Sequence, residues 1–315
     1  GKARVSLPGG CAWGPRPVDL HLKGMERLGA EIELEGGYVI AKAKRLQGAK
    51  FHLDVSSVGA TGNVLMAAVL AKGTTLITNA AIEPEITALA RFLEKMGAKI
   101  NGIGTSQIEI EGVDELHPAN EYTIPDRIEA ATYLIGAAMT RGKIEIENCN
   151  PYHLTSVISK LEESGCEIDV QGSSIYLEMD DAPRAVDIRT AVYPGFPTDV
   201  QAQWTAYMML AEGNTKIVDN IYTDRFKHVP ELQRLGAKID IVDNTAIVRG
   251  GNGLSGATVM SSDLRASACL ILAALVAKGN TEVLRIYHID RGYEKIENKL
   301  NSLGASVKRV KTELI

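Results

Sequence analysis

Apolar residues in this chain follow two alternating patterns. The first is a run with almost no polar interruption, as in Val64-Leu65-Met66-Ala67-Ala68-Val69-Leu70-Ala71 and again in residues 270–277. A helix apolar nearly all round belongs inside a core. Four such stretches span 57–73, 126–142, 199–213 and 263–279, and each opens on Ser57, Asp126, Asp199 or Asp263. Ser and Asp at that place predict an N-cap. Each stretch runs into a short alternating segment: Thr75-Leu76-Ile77, Lys143-Ile144-Glu145-Ile146, Thr215-Lys216-Ile217-Val218 or Thr281-Glu282-Val283-Leu284. That alternation predicts a half-buried strand.

The second pattern has helical spacing with one apolar face. Ile86, Leu89, Leu93 and Met96 share such a face, as do Leu154, Val157, Ile158 and Leu161, and Tyr293, Ile296, Leu300 and Leu303. These segments predict amphipathic helices covering a sheet from outside. The helices lead to a recurring phrase: Leu28-Gly29-Ala30-Glu31-Ile32, Met96-Gly97-Ala98-Lys99-Ile100, Ser164-Gly165-Cys166-Glu167-Ile168, Leu235-Gly236-Ala237-Lys238-Ile239 and Leu303-Gly304-Ala305-Ser306-Val307. Its glycines stand 68 to 71 residues apart. Gly suits the residue just past a helix, where φ is positive, and the next Ile or Val opens a strand. Each repeat therefore reads as strand, buried helix, strand, surface helix and strand pair. The predicted class is α/β, built from repeated βαβαββ units.

Residues 1–7 enter this register in mid-unit, so four full units and one half are counted. Units grouped in threes give two domains, 1–124 and 125–315, with a junction near Glu121 to Pro125 where Pro and polar residues interrupt the pattern. The same register predicts that about one and a half units, on the order of 100 residues, are missing ahead of Gly1. On that expectation the first domain has apolar faces without partners, and the chain by itself is inactive.

The 315 residues are 45% hydrophobic and 23% charged, which fits a packed globular chain. Aromatics make up only 5%, so small and aliphatic side chains must fill the core. The net charge of −5 offers no basic field for nucleic acid and no polybasic patch for a membrane surface. Any anionic substrate must then be held by a few placed cations. No apolar run reaches membrane-spanning length. Four scattered cysteines, Cys11, Cys149, Cys166 and Cys269, form no CxxC pair, which favours reduced thiols in a cytoplasm.

Two kinds of loop could carry chemistry. Leu7-Pro8-Gly9-Gly10-Cys11-Ala12-Trp13-Gly14-Pro15-Arg16-Pro17 holds three Gly and three Pro in eleven residues, and such a loop is irregular. A Cys close to Arg16 suits a reactive thiolate, although an ordinary surface Cys reads the same way. Pro17 at the first position of the following helix, beside Arg16, would make an anion site. Ile221-Tyr222-Thr223-Asp224-Arg225 and Ile286-Tyr287-His288-Ile289-Asp290-Arg291 occupy equivalent places, each ending in Asp-Arg. Taken singly, each reads as a capping Asp with a solvated Arg. Together with Arg16, the two arginines could clamp phosphate and carboxylate. Asp199 is fully explained as a helix cap, yet the repeat would turn Asp126, Asp199 and Asp263 toward the domain mouths. Gly251-Asn252-Gly253-Leu254-Ser255-Gly256 matches G-x-G-x-x-G but precedes a strand rather than a helix, which excludes a dinucleotide loop.

The segment from Pro8 to His21 resembles the enolpyruvyl transferase family. The Cys loop places the likeness with the UDP-N-acetylglucosamine enolpyruvyl transferases rather than with the sibling acting on shikimate phosphate. The resemblance continues through Ser57-Val58-Gly59-Ala60-Thr61, Pro125-Asp126-Arg127-Ile128-Glu129, Phe196-Pro197-Thr198-Asp199, Arg225-Phe226, Asp263-Leu264-Arg265-Ala266-Ser267 and Arg285 to Tyr293. It implies a fold of two inside-out α/β barrels with the active site in the cleft between them. The implied reaction moves the enolpyruvyl group of phosphoenolpyruvate to the 3-hydroxyl of UDP-N-acetylglucosamine, the first committed step of peptidoglycan synthesis. No metal or other cofactor is implied.

By the same resemblance, Cys11 protonates C3 of phosphoenolpyruvate and is the target of the epoxide fosfomycin. Asp199 accepts the sugar hydroxyl proton, and Asp263 lies near the reacting centre. Arg16 and Arg291 bind phosphoenolpyruvate. Arg16, Pro17, Val18, Asp19, Leu20, Ser57, Val58, Asp199 and Ile221 contact the nucleotide sugar. Val55 stands where some members carry a basic residue. A non-catalytic nucleotide-sugar-binding or regulatory form and the shikimate-pathway sibling are the alternatives.

Overall fold

The sequence repeat folds as a structural repeat. A computed structural model of the chain describes residues 1–8 and 18–310. Its described part divides into two units, Gly1–Ile124 and Pro125–Ile315. The first unit opens with β1 (Lys2–Ser6), α1 (Asp19–Arg27), β2 (Glu31–Glu35) and β3 (Tyr38–Lys42). A full repeat follows: β4 (Lys50–His52), α2 (Val58–Ala68), β5 (Thr74–Thr78), α3 (Pro84–Lys95), β6 (Lys99–Asn101) and β7 (Gln107–Glu111). The strands form two sheets, ordered β1-β3-β2 and β4-β5-β7-β6.

The second unit carries three turns of the repeat. The first is α4 (Arg127–Met139), β8 (Lys143–Ile146), α5 (Thr155–Ser164), β9 (Glu167–Gln171) and β10 (Ser174–Glu178). The second is β11 (Ile188–Arg189), α6 (Gln201–Met208), β12 (Asn214–Val218), α7 (Val229–Arg234), β13 (Lys238–Val242) and β14 (Thr245–Arg249). The third is β15 (Thr258–Met260), α8 (Leu264–Val276), β16 (Glu282–Leu284) and α9 (Ile296–Ser302). The sheet orders are β8-β10-β9, β11-β12-β14-β13 and β15-β16. In each complete repeat the buried helix crosses between parallel strands, β4 to β5 or β11 to β12, and a hairpin adds the antiparallel pair.

The inside-out character lies in α4, α6 and α8, which pack on one another. Every residue of α6 is buried, and Leu134, Ile135, Trp204, Tyr207 and Leu270 are fully enclosed. Each large apolar side chain enclosed this way contributes about 1.5–3 kcal/mol. Gly136 of α4 allows the approach, since a Cβ there would stand 3.0 Å from a Leu272 methyl of α8. In the first unit the matching expectation fails. Met66 and Leu70 of α2, which packs against α1, α3, β5 and β7, are 47% and 44% exposed.

Other expectations divide in the same way. The repeated glycines do follow helices with φ between 89° and 113°. The strand expected after Gly304 is absent. Residues 305–310 join no ladder, and the Asn301 side chain holds Val307 by its N–H and C=O at 2.8 and 2.7 Å. The physical reason is that a strand needs a neighbour, and β16 pairs only with β15 among the described residues. Helix α1 begins at Asp19 with Val18 as N-cap, and the expected role of Pro17 lies outside the described residues. Among the described residues, no helix is long and apolar enough to cross a membrane.

Candidate active site

Three of the four expected caps form. Ser57 accepts from the Ala60 N–H at the start of α2. Asp126 accepts from Ile128 and Glu129 at the start of α4, and Asp263 from Arg265 and Ala266 at the start of α8. Asp199 is the exception. It sits in a 3₁₀ turn, Thr198–Val200, and caps nothing; Val200 begins α6 without a side-chain cap. The carboxylate turns aside because two guanidiniums claim it.

Arg225 donates from Nη2 to Asp199 Oδ1 at 2.6 Å, and Arg265 from Nη2 to Oδ2 at 3.1 Å. The two arginine side chains are 6% and 12% exposed, while Asp199 is 40% exposed. The carboxylate thus keeps an open face and the cations lie behind it. Burial pushes its pKa up, but Arg265 and Arg225 outweigh that and bring it down to about 2. The expected solvated Arg225 is therefore corrected: it is 5% exposed, and Asp224 caps no helix but pairs with Lys227.

Arg265 ties this carboxylate to the helix layer. Its backbone N–H meets Asp263 Oδ1 at 2.9 Å, and Nη1 donates to the Tyr293 hydroxyl at 3.3 Å. Thr132 Oγ1 donates to the Ile128 carbonyl, so it accepts from the Tyr293 hydroxyl at 2.8 Å and from Gln203 Nε2 at 3.1 Å. This fully buried chain locks Arg265 to α4 and α6. His228, 3% exposed, belongs to the same region. Burial holds its pKa down at about 4, with Asp263 opposing and Arg225 assisting.

Asp199 and Asp263 are thus brought together through Arg265. Ile221 lies on an exposed loop whose N–H is fixed by Asp219. Arg291 ends the 3₁₀ segment Ile286–Arg291, exposed and with no carboxylate partner among the described residues. In the first unit the starts of α1 and α2 meet. His21 stands against Gly59, where a Cβ would lie 3.0 Å from its Cε1, and pairs with Asn63 at 2.6 Å. Val18, Asp19 and Leu20 stand at the start of α1, and Ser57 and Val58 at the start of α2. Cys11, Arg16 and Pro17 lie outside the described residues. A cavity of about 1200 Å³ lined by α4, α8 and residues 303–310 contains none of the predicted site residues.

Repeated βαβαββ units with their helices inside define the enolpyruvyl transferase fold. The enolpyruvyl transferase NikO from Streptomyces tendae matches with a TM-score of 0.86 at 27% identity, over 97% of this chain and 73% of NikO. An EPSP synthase from Acinetobacter baumannii shares the fold at a TM-score of 0.72 and 20% identity, over 97% of this chain and 74% of that one. Residues 1–300 match the family model EPSP synthase (3-phosphoshikimate 1-carboxyvinyltransferase), and the chain belongs to that family. Among curated relatives, a UDP-N-acetylglucosamine 1-carboxyvinyltransferase from Chloroherpeton thalassium is 59% identical over 98% of this chain and 72% of its own length. One from Chlorobium chlorochromatii is 57% identical over 99% of this chain and 74% of its own.

Proposed function

We propose that this chain carries the enolpyruvyl transfer activity named for its relatives, moving the group from phosphoenolpyruvate to the 3-hydroxyl of UDP-N-acetylglucosamine with release of phosphate. The observation that carries the reading is the half-open Asp199 carboxylate backed by Arg225 and Arg265. An addition at C2 of an enol phosphate needs an acid, a base and fixed cations.

In this reading Cys11 delivers a proton to C3 while Asp199 takes the proton of the attacking 3-hydroxyl. The new C–O bond forms at C2. A proton then leaves C3, the C2–O bond to phosphate breaks, and the alkene returns. Arg16 and Arg291 hold the phosphate and carboxylate of phosphoenolpyruvate. Val18, Asp19, Leu20, Ser57, Val58 and Ile221 hold the nucleotide sugar, with Arg16 and Pro17. Asp263 fixes the start of α8 and so the direction of Arg265 toward the reacting centre. A carboxyl at about 2 is ionised but a weak base near neutral pH. Asp199 becomes a stronger base when an anionic substrate group draws one guanidinium away. In this reading the reaction runs in the cytoplasm.

The test is phosphate release from phosphoenolpyruvate with each acceptor in turn, measured on this chain joined to the N-terminal segment of one of its relatives. Turnover with UDP-N-acetylglucosamine and none with shikimate 3-phosphate is the expected result. The reverse preference would assign the chain to the sibling activity.

A further inference from the structure

The residue behind the Asp199 clamp is a carboxylate with no solvent contact. Asp219 is 0% exposed and directly follows β12, an inner strand of its four-stranded sheet. Its backbone is pinned to the sheet: the N–H donates to the Asn244 carbonyl at 2.9 Å, and Asn244 Nδ2 donates back to its C=O at 3.2 Å. Oδ1 accepts from Thr190 Oγ1 at 2.8 Å and from the N–H groups of Ile221 and Tyr222 at 3.0 and 2.9 Å. Oδ2 accepts from Thr198 Oγ1 at 2.8 Å.

Thr198 continues the path. Its one proton goes to Asp219, so its lone pairs face Arg225, whose Nη1 donates to it at 2.9 Å. The other arm of Arg225 holds Asp199. The backbone closes the ring, because the Arg225 N–H donates to the Tyr222 carbonyl at 3.1 Å. Arg225 is therefore set relative to Asp219 at both ends, by the turn at its backbone and by Thr198 at its guanidinium.

The repeat does not require this carboxylate. The first residue after the equivalent strand is Asn79, Glu147 or Arg285 in the other units, and each of those units folds. A buried polar side chain demanded by nothing in the fold calls for another purpose, since burying it is costly unless its lone pairs are used. We infer that Asp219 is a positioning residue for the transfer reaction: through Thr198 it sets Arg225 against Asp199, and through two N–H groups it sets the loop bearing Ile221. The acceptor-binding loop and the carboxylate that takes the acceptor's proton are then aligned by a single side chain. This rests on the functional reading above, and neither Asp219 nor Thr198 touches a reacting atom in it.

The informative substitution is Thr198→Val, which keeps the shape and removes only the hydroxyl. Thr198→Ser restores the hydroxyl. Both are measured in the intact protein by phosphate release, by far-UV circular dichroism and urea unfolding, and by crystal structures of the variants. Loss of a hydrogen bond to a charged group corresponds to a change of about 10- to 100-fold. Thr198→Val should lower kcat by that factor, with KM for phosphoenolpyruvate within threefold of the parent. In its structure Arg225 should no longer lie within hydrogen-bond distance of Asp199. Thr198→Ser should recover kcat to within threefold. Equal loss in both variants, or a Thr198→Val protein with parental kcat and an undisturbed Arg225, would overturn the inference. A parent protein that releases no phosphate would instead refute the functional reading, and the Arg225 to Asp199 distance in the Thr198→Val crystal would still decide this one.

Discussion

Asp199 and Asp263 open equivalent helices of the repeat, yet only Asp263 uses its carboxylate to cap its helix. Asp199 is turned toward Arg225 and Arg265. The two should therefore respond differently to the same change. Asn caps about as well as Asp, so Asp263→Asn should cost a few tenths of a kcal/mol. Asp199→Asn leaves two buried guanidiniums without a counter-charge. Breaking a buried pair costs about 3–5 kcal/mol, and the exposure of Asp199 reduces that to about 1–3 kcal/mol. Its kcat should fall by about 100-fold or more, the scale of a lost general base. Urea unfolding and phosphate release measure both. Near-normal turnover in Asp199→Asn, with loss in Asp263→Asn, would transfer the base role to Asp263.

Acid should destabilise the second unit in two steps. His228 is held near pKa 4, against an ordinary 6.5. The folded value is the lower one, so between these limits the unfolded chain binds a proton that the folded chain does not. Stability is present in full above about pH 6.5 and is lost as pH falls toward 4, by on the order of 3 kcal/mol. Asp199, at about 2 against 3.8, adds a second loss below about pH 4. His228→Gln should remove the first step and keep the second. Urea midpoints at pH 7.0, 5.5, 4.5 and 3.0 would show both, and an unchanged slope in the variant between pH 7.0 and 4.5 would assign the first step to another group.

Much of the fold was legible because the repeat states it five times. The glycines at 29, 97, 165, 236 and 304 mark helix ends whatever surrounds them, since positive φ is a local demand. The fate of residues 305–310 was not legible, because a ladder depends on a neighbour that local sequence does not name. The site divides likewise. Ser57, Asp126 and Asp263 cap as their positions suggest. Asp199 looks identical in sequence and departs from that role through Arg225 and Arg265, which lie 26 and 66 residues away. Asp-Arg at 224–225 and 290–291 also reads alike, but Arg225 is enclosed and Arg291 is exposed. Arg265, Thr198 and Asp219 were missed as site-builders; for Arg265 the available signal was a charged residue in the first turn of an otherwise apolar helix, and local sequence offers none for the other two.

Thiol reactivity should separate Cys11 from the other three cysteines. Cys149, Cys166 and Cys269 are 6%, 6% and 0% exposed. Burial pushes all three thiols up, Cys269 the most. Thiolate is the reacting form, so iodoacetamide at pH 7 should label these three only on unfolding. Under the proposed function Cys11 reacts first, and prior treatment with fosfomycin blocks it. Peptide mapping that finds early label on Cys269 would contradict the packing of α8.

The repeat also predicts where a methyl group cannot be added. Gly250 follows β14 so closely that a Cβ would stand 2.1 Å from the Ala211 carbonyl oxygen and 2.7 Å from that of Met208. Both obstacles are backbone, and neither can rotate away. Gly112 repeats the relationship after β7, with the Ala71 carbonyl oxygen at 1.7 Å. Gly253 has nothing within 4 Å of the same added atom, and its φ lies outside the left-handed region. Gly250→Ala must shift the end of α6 or the end of its sheet, at a cost of about 1–3 kcal/mol for overpacking. Gly253→Ala should be neutral or stabilise by about 0.4–1 kcal/mol, because it narrows the unfolded ensemble without native strain. Urea unfolding of the two variants in parallel tests the contrast. Equal stability would mean that β14 and the end of α6 lie further apart than the close approach at Gly250 requires.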